Sequence, residues 1–232
     1  IMATSGTTSF NLTIEEIIDE AFNRCGVRPN SGNDLRKARR NLNVLFSDWG
    51  NRGVHLWKVE LDEIALVAGQ AEYTCNSDVS DVLEAFVSTT GGGNDTANTQ
   101  DVSLTKVDRS NYAALPNKLN QGQPSQYYVD RQTTPKIYLY QAPDASTYTY
   151  VKFYVVKRIE DAGAYSNNPD AVFRFLPCMI AGLAYYLSFQ YAADRVPLLK
   201  QTYEDEMIRA LDEDGQRTSL YVSPMTYFGD GV

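Results

Sequence analysis

One long uncharged run constrains this chain more than any other part of it. The segment from Phe175 to Leu187 reads FLPCMIAGLAYYL and contains no charged side chain. As an α-helix it spans about 20 Å, which is short of the ~30 Å hydrocarbon core of a membrane. A helix that is apolar on every side must otherwise be covered by protein. The run therefore predicts the central helix of a helical bundle.

A second helical pattern follows and completes a C-terminal pair between about Asp170 and Gln216. Pro197 is a favoured first helical position, and apolar residues recur after it at helical spacing, between charged ones. These apolar positions are Leu199, Tyr203, Met207, Ala210 and Leu211. We predict an amphipathic helix that packs beside the uncharged one.

Two shorter helical patterns lie near the start of the chain. Thr13 and Glu16 have the spacing of a capping box, and Gly26 ends the first pattern. Asn33 or Asp34 is the expected cap of a second helix, which ends at about Gly50. Because few residues connect them, the two helices are predicted to form an antiparallel hairpin.

Between the two helical pairs the apolar period changes from 3.6 to 2. Trp57, Val59 and Leu61 alternate with charged residues, which predicts a strand with one solvated face. Gly69-Gln70 is expected to turn this strand into a hairpin. Further strands are predicted at about 72–75, 82–88, 102–107, 127–130, 136–141 and 148–156, with a short helix at 109–115 and a mobile hairpin tip at 89–100.

Together these patterns predict an α+β fold. A four-helix bundle forms from the N- and C-terminal helical hairpins, with an inserted antiparallel β domain and an extended C-terminal arm. The predicted boundaries are 1–53 and 161–216 for the two hairpins, 54–160 for the β domain and 217–232 for the arm. The arm has turn residues and aromatics without helical period, so we expect it to dock on a partner; a disordered tail is the alternative.

The overall charge and the cysteines restrict the function classes. A net charge of -8 argues against a dedicated binder of DNA or anionic membranes, because a basic surface supplies most of the affinity for either. Cys25, Cys75 and Cys178 are far apart and odd in number, and we interpret them as reduced core residues of an intracellularly folded protein. The N-terminus has no basic-then-apolar leader that would indicate secretion.

The sequence contains no recognisable catalytic constellation. His55 is the only histidine, and at a helix-to-strand junction we interpret it as structural. CxxC, HExxH, GxGxxG and phosphate-loop motifs do not occur, so we assign no catalytic residue, metal or cofactor. Glu60 and Asp62 lie on one strand face and resemble the pair of catalytic carboxylates of a glycosidase. Such pairs of carboxylates also arise by chance on an acidic strand.

Two charge clusters of opposite sign fall on predicted helices. The basic cluster on the second helix is Arg36, Lys37, Arg39 and Arg40, and the acidic cluster on the last helix is represented by Glu204, Asp205, Asp212 and Glu213. A solvated face or a protein interface fits the basic cluster better than DNA readout, given the acidity of the chain. If subunits pack side by side in a ring, we expect the basic helix of one to meet the acidic helix of the next.

Several segments, by their order and spacing, carry a resemblance to a known family. They are NLNVLFSDWGNRGVHLWKVE, VAGQAEYTC, GQPSQYYVDRQTTPKIYLYQAPD, YTYVKFYVVKRIEDA and FRFLPCMIAGLAYYLSFQYA. This pattern resembles the head-to-tail adaptors of short-tailed bacteriophages, the connector or tail tubular protein A-like family. The resemblance implies a structural virion protein that forms a twelve-membered ring, joins the portal to the tail nozzle and lets genomic DNA pass without sequence-specific binding.

The resemblance brings no catalytic residues and implies no membrane partner. We expect folding and assembly in the host cytoplasm, followed by a place in the virion at the head-tail interface. In the C-terminal arm we predict portal-docking residues at Leu220, Tyr221, Val222, Tyr227 and Phe228.

Two alternatives remain open at this point. A carbohydrate-binding or carbohydrate-cleaving tail component would use surface tyrosines, of which the chain has an ample supply among its 16, and paired carboxylates. A head-completion protein of another phage class would close the head without a nozzle partner.

Overall fold

The computed structural model describes residue 6 and residues 11–54, 56–92 and 99–214. Its α-helices are α1 (Ile14–Cys25), α2 (Gly32–Asn51), α3 (Arg109–Ala114), α4 (Leu176–Tyr191) and α5 (Val196–Asp214). Its strands are β1 (Val59–Ala65), β2 (Glu72–Thr74), β3 (Val79–Ser88), β4 (Asp101–Ser103), β5 (Thr105–Lys106), β6 (Gln121–Gly122), β7 (Gln126–Asp130), β8 (Lys136–Tyr140), β9 (Ala142–Pro143) and β10 (Tyr150–Lys157). The predicted α+β class is confirmed.

The ends of the first two helices follow from local capping chemistry. Thr13 and Glu16 form the predicted capping box, with the Thr13 N–H donating to Glu16 Oε2 at 2.8 Å, and Gly26 ends α1 in the left-handed conformation. The predicted cap of α2 was wrong by two or three residues. The N-cap is Ser31, whose Oγ accepts the Asp34 N–H. The Asp34 carboxylate does not cap the helix, because it accepts hydrogen bonds from the Asn30 N–H and the Tyr191 hydroxyl.

The four long helices contribute to one hydrophobic core, and α4 contacts the other three. The residues of α4 from Cys178 to Ala184 are all buried, as the uncharged run predicted. Gly182 is a point of close approach between helices: a Cβ there would lie 2.8 Å from both Leu45 Cδ1 of α2 and Tyr203 Cε2 of α5. A side chain of any size would push these two neighbours away from α4.

The strands form two main sheets that share a second hydrophobic core. The first sheet has the order β1-β10-β3-β4 and the second has the order β2-β8-β7-β5. Val151, Phe153 and Val155 of β10 are buried together with Tyr127 of β7 and Ile137 of β8. We call these two sheets the β sandwich. The ladders between the longer strands are antiparallel as predicted, while the two-residue pairs β5-β7 and β6-β9 are parallel.

Two predicted local connections differ from the structure. The Gly69-Gln70 hairpin is absent from the described strands, because β1 pairs with β10 whereas β2 pairs with β8. The Tyr73 hydroxyl accepts the Val67 N–H at 3.0 Å and so holds the segment that crosses between the sheets. The single strand predicted at 102–107 is divided at Leu104, which is buried in the sandwich core, so β4 and β5 lie in different sheets.

The loop between β3 and β4 is a hairpin connection, as predicted. Its base is fixed, since the Thr89 N–H donates to Gln100 O at 3.2 Å and the Thr90 and Thr99 hydroxyls are 2.8 Å apart. The Gly92 N–H donates to the Glu63 carboxylate on the first sheet. Residues 93–98 lie outside the described residues, and the mobility of the tip stays a prediction.

The chain enters and leaves the β sandwich at adjacent positions. Val59 at the start of β1 is the direct partner of Val156 near the end of β10. Beside this junction the Lys58 ammonium group lies 2.7 Å from the Asp170 carboxylate, and the Trp57 and Phe175 rings are 4.8 Å apart. These contacts hold the sandwich next to the helical core.

The close approach at Gly182 gives a first prediction. We expect Gly182→Ala to lower the free energy of unfolding by about 1–3 kcal/mol, because the methyl group overpacks the α2–α4–α5 contact. Gly50→Ala is the matched control: a Cβ at Gly50 meets no atom within 4 Å, so this change should be neutral or stabilise by up to about 1 kcal/mol. Urea denaturation measures both, and equal effects would contradict the proposed overpacking.

Candidate protein-interaction surfaces

The basic cluster on α2 is divided by the rotation of the helix. Arg36 and Arg40 are exposed and point away from the helical core. Arg39 is partly buried instead: its guanidinium donates to Gly163 O at 3.3 Å and lies 5.5 Å from the centre of the Tyr165 ring. Lys37 is half-buried. The surface available to a partner is therefore centred on Arg36 and Arg40.

A cleft continues this basic surface between α2 and the β sandwich. It has a volume of about 640 Å³, and Asn43 lies both in it and in the depression formed by Arg36, Arg39 and Arg40. Ser47 and Gly50 line the α2 side, and Leu83, which is 43% exposed, lines the opposite wall. Sequence reasoning missed the cleft, although the outward spacing of Arg36, Arg40, Asn43, Ser47 and Gly50 was a signal for one continuous helix face.

The acidic cluster on α5 is divided in the same way. Glu204 is turned toward α2, whereas Asp205, Asp212 and Glu213 are exposed. The outward face of α5 also carries Leu198 and Ile208, which are 64% and 56% exposed. These two apolar residues were not among the predicted site residues. The surface is therefore mixed, with acids and large apolar side chains on one face.

A polar network joins α2 to α5 where Glu204 turns inward. Arg52 binds both Glu204 carboxylate oxygens, at 2.8 and 3.1 Å, and also Asp48 at 2.9 Å. The buried Tyr203 hydroxyl donates to Asp48 Oδ2 and accepts the Trp49 Nε1–H, each at 3.1 Å. Burial raises the pKa of Tyr203, and the hydrogen bonds from Arg52 hold the pKa of Glu204 below its usual value. These hydrogen bonds and ion pairs hold α5 against the C-terminal end of α2.

Comparison with known protein families identifies the family of this chain. The model of the SU10 adaptor protein family matches residues 13–226, which is nearly the whole sequence. The chain belongs to the SU10 adaptor protein family. The predicted resemblance to phage head-tail adaptors is thereby confirmed, and the protein is a structural phage adaptor protein. No curated protein matches the chain.

The tyrosines of this adaptor are partly used for internal packing. Tyr128 and Tyr138 are cross-strand partners whose rings stack at 5.8 Å, and Tyr112 of α3 stacks on Tyr128 at 5.5 Å. The Lys118 ammonium group lies 5.4 Å from the centre of the Tyr112 ring. Because the ring faces contact one another or a cation, they hold α3 on the sheet and are poorly placed to stack on a sugar.

The paired carboxylates on β1 also have a structural explanation in the adaptor. Lys157 of β10 lies 2.7 Å from Glu60, 3.7 Å from Asp62 and 3.8 Å from Asp78. The hydrogen bond that the Lys157 ammonium group donates to Glu60 raises the pKa of Lys157. An ammonium group shared by three carboxylates forms an ion-pair cluster, and such charges on an edge strand discourage pairing with other strands.

Some predicted residues fall outside the described part of the adaptor. These are His55 and the arm residues Leu220, Tyr221, Val222, Tyr227 and Phe228. Cys25, Cys75 and Cys178 are described, and all three are buried free thiols. Within the described ranges, the helices include none that is both long enough and apolar enough to span a membrane.

The lowered pKa of Glu204 gives a prediction about pH. At pH 7 we expect Glu204→Gln to lower the free energy of unfolding by about 0.5–1 kcal/mol, as for a partly exposed ion pair. The folded pKa lies below the ordinary value of 4.5, so the ion pair stabilises the protein above that pH and loses its effect as the pH falls through the folded value. The gap between wild type and variant should therefore close in acid.

Urea denaturation at pH 7 and at several acidic values down to about pH 3 measures this gap. Asp205→Asn, an exposed position on the same helix, is the control and should change the free energy of unfolding by less than about 0.5 kcal/mol at pH 7. A Glu204→Gln gap that stayed constant into acid would contradict the assigned ion pair.

Proposed function

We propose that this protein is a head-to-tail adaptor whose copies form a ring that joins the portal to the tail nozzle and lines the DNA channel. The observation that carries the proposal is the family match over residues 13–226. A net charge of -8 supports the channel role, because an acidic wall repels DNA phosphates and lets the genome slide, whereas a basic wall would hold it. It acts as a structural component without catalysis, and it folds and assembles in the host cytoplasm before entering the virion.

For its architecture we propose a four-helix bundle with the β domain inserted. The common core of α1, α2, α4 and α5, with α4 in contact with the other three, supports this arrangement. The separate core of the β sandwich supports an insertion between two helical hairpins. The units are 1–53 and 161–216 for the bundle, 54–160 for the β domain and 217–232 for the arm.

The ring is tested by the mass of the assembled particle. In native mass spectrometry we expect the free protein to be a monomer, and the protein mixed with purified portal rings of the same phage to give one particle with about twelve added copies. Subsequent addition of nozzle protein should increase that mass by a fixed amount. A protein that stayed monomeric and did not bind the portal would contradict the proposal. A portal complex that did not bind nozzle protein would favour a head-completion protein.

The arm is proposed to dock on the portal through its aromatic and apolar residues. A chain that ends at Arg217 should lose portal binding, because buried aromatic side chains are prominent among the few residues that supply most of the energy of an interface. Replacing Leu220, Tyr221, Val222, Tyr227 and Phe228 together by serine keeps the length and should have the same effect, measured by co-sedimentation with portal rings. Unchanged portal binding by either variant would show that the arm has another role.

A further inference from the structure

The outward face of α2 has the properties of a docking surface for another helix. Arg36, Arg40, Asn43, Ser47 and Gly50 recur every three or four residues, so they share one face of the helix. The face is basic at its N-terminal end. At its C-terminal end it has only small side chains beside the 640 Å³ cleft, whose walls include the apolar residues Phe46, Val54 and Leu83.

The outward face of α5 has complementary properties in the opposite order along the helix. Leu198 lies near its N-terminal end, and Asp205, Ile208 and Asp212 follow at helical spacing. All four side chains are exposed, and they point away from the buried residues Leu199, Tyr203 and Met207. The face begins with the apolar Leu198, and toward its end it carries the two acids with Ile208 between them.

The distances between these features also match. Arg36 and Gly50 are separated by the same number of residues as Leu198 and Asp212, which corresponds to about 21 Å of helix in each case. When the helices run antiparallel with Asp212 beside Arg36, Leu198 lies beside Gly50 at the cleft, whose mixed lining includes the exposed apolar residue Leu83. Asp205 then lies beside Asn43, within reach of Arg40.

We propose that α5 of one copy docks antiparallel on α2 of a second copy, with Asp212 beside Arg36 and Leu198 beside Gly50. The contact is between different surfaces of the two copies, so its repetition closes into a ring when the rotation permits. This inference rests on the proposed ring and specifies which surfaces form it. Arg39 and Glu204 are not required, since both are engaged within their own chain.

Cysteine cross-linking tests the register of this contact. The three native cysteines are buried, so cysteines introduced at the surface react selectively. Gly50→Cys is sterically acceptable because a Cβ there meets no atom within 4 Å, and Leu198 is 64% exposed. We expect the chain with both Gly50→Cys and Leu198→Cys, assembled on portal rings and treated with a short bismaleimide, to give a ladder of covalent oligomers on a denaturing gel.

The matched control combines Leu198→Cys with Gly32→Cys. A Cβ at Gly32 also meets no atom within 4 Å, but Gly32 lies at the other end of α2, about 27 Å from Gly50 along the helix. This chain should assemble without a ladder. Assembled particles in which the Gly50 chain gives no ladder, or both chains give one, would overturn the register and leave the adaptor role intact. Failure of the wild-type protein to assemble on the portal would overturn both proposals.

Charge reversal tests the same contact without cysteines. Arg36→Glu with Arg40→Glu, or Asp205→Arg with Asp212→Arg, should each raise the concentration needed for ring assembly by about tenfold or more. The chain that carries all four substitutions should recover most of this loss, because the opposed charges are again complementary. Circular dichroism checks that each variant is folded. Strictly additive effects of the two pairs would contradict the contact.

Discussion

An uncharged helix is stable in water only when other parts of the molecule cover it, and α4 imposes this condition on the whole chain. Helices α1, α2 and α5 each supply an apolar face to it, so the two ends of the sequence must meet. Gly182 brings α2 and α5 into close contact with α4, and the network of Arg52, Asp48 and Tyr203 then fixes α5 against α2. The chain therefore leaves the helical core for the β sandwich and returns to it at adjacent positions.

The helices could be predicted from the sequence more closely than the sheets. Capping residues act within four positions of one another, so Thr13, Glu16 and Gly26 define the ends of α1 locally. The cap of α2 was misassigned because the side chain of Asp34 bonds to Tyr191, which is remote in sequence. Alternation of period 2 identifies the buried face of a strand but not its partner. This is why a hairpin was wrongly predicted at Gly69 and the break at Leu104 was missed.

The candidate surfaces were predicted as blocks of like charge, which is how they appear in the linear sequence. A helix turns by about 100° per residue, so neighbours in a block point in different directions. Arg39 and Glu204 therefore turn toward their own chain, while Arg40 and Asp205 remain at the surface. The apolar component of the surfaces was not predicted, because Leu198 and Ile208 directly adjoin the apolar core residues Leu199 and Met207 in the sequence. Only the three-dimensional fold distinguishes them from core positions.

The direct pairing of Val59 with Val156 brings the two ends of the β sandwich together. Its two ends are fixed side by side, so a sandwich of different size that kept this pair of positions and the contacts of Lys58 and Trp57 beside it would fit the same helices. Lengthening its strands or loops at the far end extends it without altering the core around α4. The architecture thus separates the tightly packed region around Gly182 from the far end of the sandwich, where a change in length does not touch the helices.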